Sequence, residues 1–397
     1  MLHRQRQPAN LNEVRGYDMQ QQERLNVRKG YSSLPDASQA AMELAACIRQ
    51  PDMQIVIFFC SSRYDLNALG PALKEQFDCP VVGCTTAGEI TSEAGYLEDG
   101  IVGVSLSSKE LAAHPKLIHP LDKFGLMEAG SLVRELHKEL KLSGEFDAAH
   151  MFGLLLVDGL SMLEEQVAAS IRSQLVSVPI IGGSAGDDLS FHETHLYWDG
   201  RFLKDAAVLT LFETTLPFKT FQTQHFEPTD TRLVITESDC ATRTVQEING
   251  GPAAEEYAKA VGLEVKELTS QVFAAHPVML KIGGEYYVRS IQKANPDGSL
   301  TFYCAIDTGL VLTVAKGKAL LENLRARMDS LRREVHGLKL VLGCDCILRR
   351  LELQQKGLLS EALNVLGGAD FIGFSTYGEN YNGIHVNQTL TGLALGS

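Results

Sequence analysis

The sequence has no apolar run long enough to cross a membrane. It has no basic surplus either: 36 Lys and Arg stand against 49 Asp and Glu, a formal net charge of −13. That balance works against broad nucleic-acid binding, which needs a basic face. Neither a G-x-x-x-x-G-K-[ST] loop nor a G-x-G-x-x-G loop occurs, so nothing marks a nucleotide phosphate site. The C-x-C formed by Cys344 and Cys346 has no second cysteine pair to complete a zinc site. Two small residues packing a tight turn is the plainer reading of that pair.

Residues 1–30 are polar, carry Arg4, Arg6, Arg15, Arg24 and Arg28, and have no apolar core. They read as a flexible leader and not as a secretory signal. The eight cysteines are scattered through a long chain, which suggests reduced thiols and a cytoplasmic protein. With 45% hydrophobic and 21% charged residues, the remainder has the make-up of a soluble globular protein.

What the sequence does have is one phrase written three times. Residues 80–90 read PVVGCTTAGEI, 179–189 read PIIGGSAGDDL and 371–379 read FIGFSTYGE. Each is an apolar run, a Gly, small or hydroxyl residues, a second Gly and a carboxylate. Three copies argue for internal duplication. Each phrase follows an apolar run (55–60, 152–157, 338–342), a polar turn and a helical stretch (66–77, 162–175, 353–366). Such units read as buried strand, helix, buried strand, with right-handed crossovers. In such sheets ligands sit at the carboxyl ends of strands, where the three turns fall.

The expected fold is therefore α/β. Repeated strand–helix–strand units build two halves, with a more β-rich segment at the start of the C-terminal half. A composition shift near Pro217 separates a first domain, 35–217, from a second, 221–390. Within the second, 221–316 holds short alternating strands and turns at Asn249-Gly250-Gly251 and Asn295-Pro296-Asp297-Gly298.

The three phrases, Tyr197-Trp198-Asp199-Gly200, VQEINGGPAAEEY at 245–257 and His276-Pro277 together resemble the FIST family, a sensory N-terminal domain followed by a C-terminal one. The resemblance covers roughly 35–390. It implies a cytoplasmic ligand-sensing protein in signal transduction. Gln224-His225-Phe226-Glu227-Pro228-Thr229 and the run 342–350 narrow the resemblance to the haem-binding, nitric-oxide-sensing branch. That branch implies haem b, nitric oxide and a sensor histidine kinase as partner. The alternative is a FIST module that binds an amino acid or other small metabolite without haem. No membrane or nucleic-acid partner is expected, and a homo-oligomer stays open.

Haem iron takes an axial ligand, most often a histidine in an apolar pocket. His225, between Phe221 and Phe226 at the domain boundary, ranks first, then His276, then His192. Arg349 or Arg350 offers a partner for a propionate or ligand carboxylate, the other reading as a solvated charge at a helix start. The turns supply further pocket candidates: Thr85, Thr86, Gly183, Ser184, Tyr377 and Glu379. They either present N–H and hydroxyl groups to a ligand or let backbones approach closely. Glu89, Asp187, Asp188 and Glu379 offer carboxylates for acid–base work, but nothing in the sequence brings them together. The chain is expected not to be an enzyme.

Overall fold

The computed structural model describes residues 23–140 and 146–397. The class is mixed α/β, with four sheets. Of the expected leader, 1–22 lies outside the described residues. Its end is not a leader: Asn26–Ser32 is a strand, antiparallel to Ile101–Ser107. Val27 and buried Leu25 pack on the core, which gives this polar-looking segment its apolar anchor.

Three of the sheets have six strands in one common arrangement. The first runs Asn26–Ser32, Ile101–Ser107, Met53–Ser61, Val81–Thr86, Leu196–Trp198, Arg201–Leu203. The second runs Leu111–Ile118, Ala207–Thr214, Met151–Val157, Ile180–Ser184, Glu379–Tyr381, Ile384–Val386. The third runs Phe218–Thr223, Leu390–Gly396, Leu338–Cys346, Phe371–Thr376, Glu89–Thr91, Gly95–Leu97. In each, the third and fourth strands are parallel and a terminal hairpin is antiparallel to the fourth.

Those hairpins are exchanged in a circle. The hairpin after the first phrase completes the third sheet, the one after the second phrase completes the first, and the one after the third phrase completes the second. The two halves expected from sequence are thus three interlocked sheets. Their inner faces share one core, in which Phe59 of the first sheet stacks on Phe374 of the third at 4.3 Å.

The glycines of the phrases are needed for close approach. A Cβ on Gly182 would lie 1.8 Å from the Leu155 carbonyl oxygen, and one on Gly373 1.9 Å from that of Gly343. Helices close the outer faces, and two of them start on aspartates that cap them: Asp36 accepts from the Gln39 N–H and Asp65 from the Asn67 N–H. The helical stretch expected at 353–366 is two helices, Ile347–Gln355 and Leu359–Gly367, broken at Gly357 with φ +67°.

The third unit carries an insertion between its first strand and its first helix, Leu320–Glu334. Strands from Phe226–Asp239 to Val311–Gly317 form an eight-stranded sheet with its own core around Tyr257, Phe273, Leu300 and Leu312. This is the β-rich segment the turn pattern pointed to. Two ion pairs dock it on consecutive residues at the start of helix Glu164–Gln174: Arg243 on Glu164, which is buried, and Arg289 on Glu165, which is half-buried.

Candidate functional site

At the carboxyl end of Met151–Val157 the chain turns through Gly159 to Met162 before the helix at Glu164 begins. The third phrase brings Tyr377 beside this turn, and the second, with the loop that follows it, brings Leu189 and Phe191. Helix Ile347–Gln355 adds Ile347, Leu348 and Leu351, and the insertion adds Arg243, Phe302 and Tyr303. Together they enclose a cavity of about 340 Å³. It lies at strand ends and between the insertion and the three-sheet body, as ligand pockets in α/β proteins do.

The rim is strained. Met162 (φ 61°), Leu189 (64°), Phe191 (52°) and Arg243 (52°) all hold the left-handed region and all line this cavity. Bulky side chains there are rare and concentrate at functional sites. The second phrase's carboxylate holds the loop in place. Asp187 accepts the N–H groups of Phe191, His192 and Glu193 at 2.6–3.0 Å, together with the hydroxyl of Tyr377. Phe191 stacks on Tyr377, with centroids 4.8 Å apart and planes 16° apart. Met162, Leu189, Phe191 and Leu351 remain exposed around the mouth, an unusual grouping of large apolar residues.

The floor is polar but internally balanced. Arg243 donates through Nη2 to Glu164 at 2.6 Å and through Nη1 to the Tyr303 carbonyl at 2.7 Å. Burial raises the Glu164 carboxyl above its ordinary range, and the Arg243 charge opposes that rise. On the other side of the same loop lies a second, polar cleft of about 470 Å³, bordered by Asp65, Asp187, His192, Glu193 and His195. Burial lowers the His195 imidazole.

Of the candidates chosen from sequence, Tyr377 is in the cavity wall. The other turn residues are occupied in packing. Thr85 accepts the His195 N–H at 3.0 Å. Thr86 donates to Glu89, and Thr376 to Glu379. Gly183 lies against Thr376, Cys344 and Phe374. The Ser184 N–H is bonded to the Gly378 carbonyl. Glu379 is fully buried, accepts from Thr376 and Thr389, and burial pushes it up to about 8. Glu89 is equally buried, burial raises it, and its Oε2 has no partner among the described residues.

The 182–186 run also has the G-x-S-x-G spacing of a nucleophile elbow. It is not an elbow: Ser184 ends a buried strand and a loop follows, not a helix.

The haem-ligand candidates have separate environments. His225 is buried, its Nε2 lying 3.1 and 3.0 Å from the two Glu352 carboxylate oxygens, and its Nδ1 3.5 Å from Arg349 Nη1. A carboxylate only accepts and a guanidinium only donates. These partners therefore fix the proton on Nε2 and spend the Nδ1 lone pair. Burial lowers this imidazole, and the Arg349 charge adds to that. Held this way, both ring nitrogens of His225 are engaged by protein groups. Arg349 is itself 1% exposed and donates to Asp345 at 2.7 Å, so it is not open to a propionate. Arg350 is no solvated charge: it donates to the Ala87 carbonyl and to Glu98, above the Tyr96 ring. His276 caps helix Ser270–Ala275, and His192 is exposed on the polar cleft.

Cys344 and Cys346 are buried free thiols pushed up by burial, as packing residues are. Among the described residues no group of three or more His, Cys, Asp or Glu is placed to hold a metal ion. None of the described helices is long and apolar enough to cross a membrane.

Sequence reading missed Phe191, Arg243 and Glu164. The first two adopt left-handed backbone that no residue type announces, and the Arg243–Glu164 pair joins positions 79 residues apart.

Among curated proteins, an uncharacterized protein of Methanocaldococcus jannaschii is 21% identical over 310 residues. The match takes in 73% of this chain and 59% of the relative, so the chain spans less than two thirds of that protein's length. Residues 54–251 match the FIST N domain and 253–382 the FIST C domain. The division at 251–253 falls inside the insertion, between its strand Thr244–Ile248 and its helix Ala253–Val261. The chain belongs to the FIST family.

Proposed function

We infer that the chain is a sensory module of signal transduction, and that it takes a small metabolite, without haem, into the cavity beside Tyr377. The observation that carries this reading is the convergence of four left-handed non-glycine residues on one apolar cavity between the insertion and the three-sheet body. Such backbone costs on the order of 1–3 kcal/mol at each position and persists where a site requires it. The insertion is docked through Arg243, which is also in the cavity wall. A ligand that contacts this wall therefore has a route to the seating of the insertion. For output, the family resemblance suggests a sensor histidine kinase as partner.

Haem b and nitric oxide rest on the resemblance. A haem at His225 requires one ring nitrogen of this buried imidazole to be released, Nε2 from Glu352 or Nδ1 from Arg349, and among the described residues no histidine or cysteine lines the cavity.

The test is a thermal-shift screen of the full chain against small metabolites. A compound at about 100 times its Kd stabilises the folded state by about 2.7 kcal/mol. The same compound is then tried on Leu160→Trp and Leu351→Trp, which fill the cavity. A stabilising compound whose effect disappears in both variants is the expected result. Stabilisation that persists in both, or none from any compound, overturns the reading.

A further inference from the structure

We propose that the ligand of this cavity is a small, uncharged, flat aromatic molecule. The inference rests on the ligand-sensing reading above and adds the chemical class. Three observations carry it.

The first is charge balance. Among the described residues, Glu164 supplies the one carboxylate and Arg243 the one cation of the cavity wall. Their side chains are 3% and 6% exposed, and each is the other's partner at 2.6 Å. The second guanidinium nitrogen is taken by the Tyr303 carbonyl. A charged ligand entering here sheds its hydration and meets no free counter-charge, which is unfavourable. To gain one it must part a buried pair and leave an uncompensated charge behind. The neutral donors and acceptors of Thr242, Gln292 and Thr301 suit an uncharged polar edge.

The second is shape. Phe191 and Tyr377 already form a parallel stack, and Phe302 and Tyr303 add two more rings from the insertion. Phe191 is 44% exposed, so it keeps surface on which another ring can lie. The third is size. At about 340 Å³ the cavity stands at the low end of ligand pockets, which run from about 300 to 1,000 Å³. One or two fused rings are the scale of occupant that this volume suits.

The experiment is isothermal titration calorimetry of the full chain at neutral pH. Three probes share one ring system: indole, which is neutral, indole-3-acetate, an anion, and tryptamine, a cation. Indole is expected to bind once per chain, with both charged probes at least about ten-fold weaker. Phe191→Ala is expected to weaken indole by about two- to ten-fold, the loss of one stacking partner. Because Phe191 is exposed at the rim, the variant should keep the parent melting temperature, which is measured alongside. Tighter, Phe191-dependent binding of a charged probe overturns the chemical class and leaves the cavity reading standing. Indole binding that ignores both Phe191→Ala and Leu160→Trp overturns both. No indole binding at all overturns the class, and the cavity reading is then judged by the screen with Leu160→Trp and Leu351→Trp.

Discussion

Single residues carry two different kinds of stored free energy. One is backbone strain at Met162, Leu189, Phe191 and Arg243, gathered around the cavity. The other is the burial of carboxyls inside the three-sheet body. Glu379 has an ordinary value near 4.5 and is pushed up to about 8 by burial, against the pull of Thr376 and Thr389. The unfolded chain therefore ionises first as pH rises. Its contribution to stability is complete below about pH 4.5, shrinks through the interval, and is lost above about pH 8. Glu379→Gln keeps the shape and removes the titration. Urea unfolding of the parent and the variant should diverge from pH 5 to pH 8. The parent loses up to about 1.4 kcal/mol per pH unit relative to Glu379→Gln. A difference that does not change with pH would mean that Glu379 ionises in the folded protein much as it does in the unfolded chain.

At the scale of elements, the insertion is held to helix Glu164–Gln174 by two arginines on adjacent glutamates. A buried pair is poor value for stability alone, yet breaking one side of it is costly. Glu164→Leu or Arg243→Met alone is expected to destabilise by about 3–5 kcal/mol, and the double variant by clearly less. Chemical denaturation of the three variants decides it. A double variant as unstable as the sum of the singles would show that the two side chains act independently.

The elements themselves were largely legible. The apolar runs and the repeated phrase mark Met53–Ser61, Met151–Val157 and Leu338–Cys346 and the strands that follow them. The dipeptide turns mark the β-rich insertion. The first strand was not legible, because the inward positions of Asn26–Ser32 are Val27, Lys29, Gly30 and Ser32, of which only one is a large apolar residue. The site was legible only at Tyr377. The hydroxyl and carboxylate residues of the phrases look like ligand groups, but the Thr86 and Thr376 hydroxyls are spent inside the body on Glu89 and Glu379. His225 invites a metal in the sequence, and only the fold reveals Glu352 and Arg349 against it.

For the whole molecule, the exchanged hairpins matter most. The second sheet is incomplete without Glu379–Tyr381 and Ile384–Val386, and the third without Glu89–Thr91 and Gly95–Leu97. The portions of the chain before and after Pro217 are therefore expected to be mutually dependent. Residues 1–217 and 218–397 expressed apart should each lack a cooperative thermal transition, and mixing them should restore one. A sharp, independent transition in either piece, measured by calorimetry, would show that the exchange is dispensable.

The three sheets interlock in one body, and the strained loop and the docked insertion border the cavity beside it. Hydrogen–deuterium exchange with and without saturating indole tests most directly where the ligand binds. Protection is expected at 159–164, 187–191, 242–243 and 301–303, which border the cavity. Protection confined to 224–226, around His225, would contradict it.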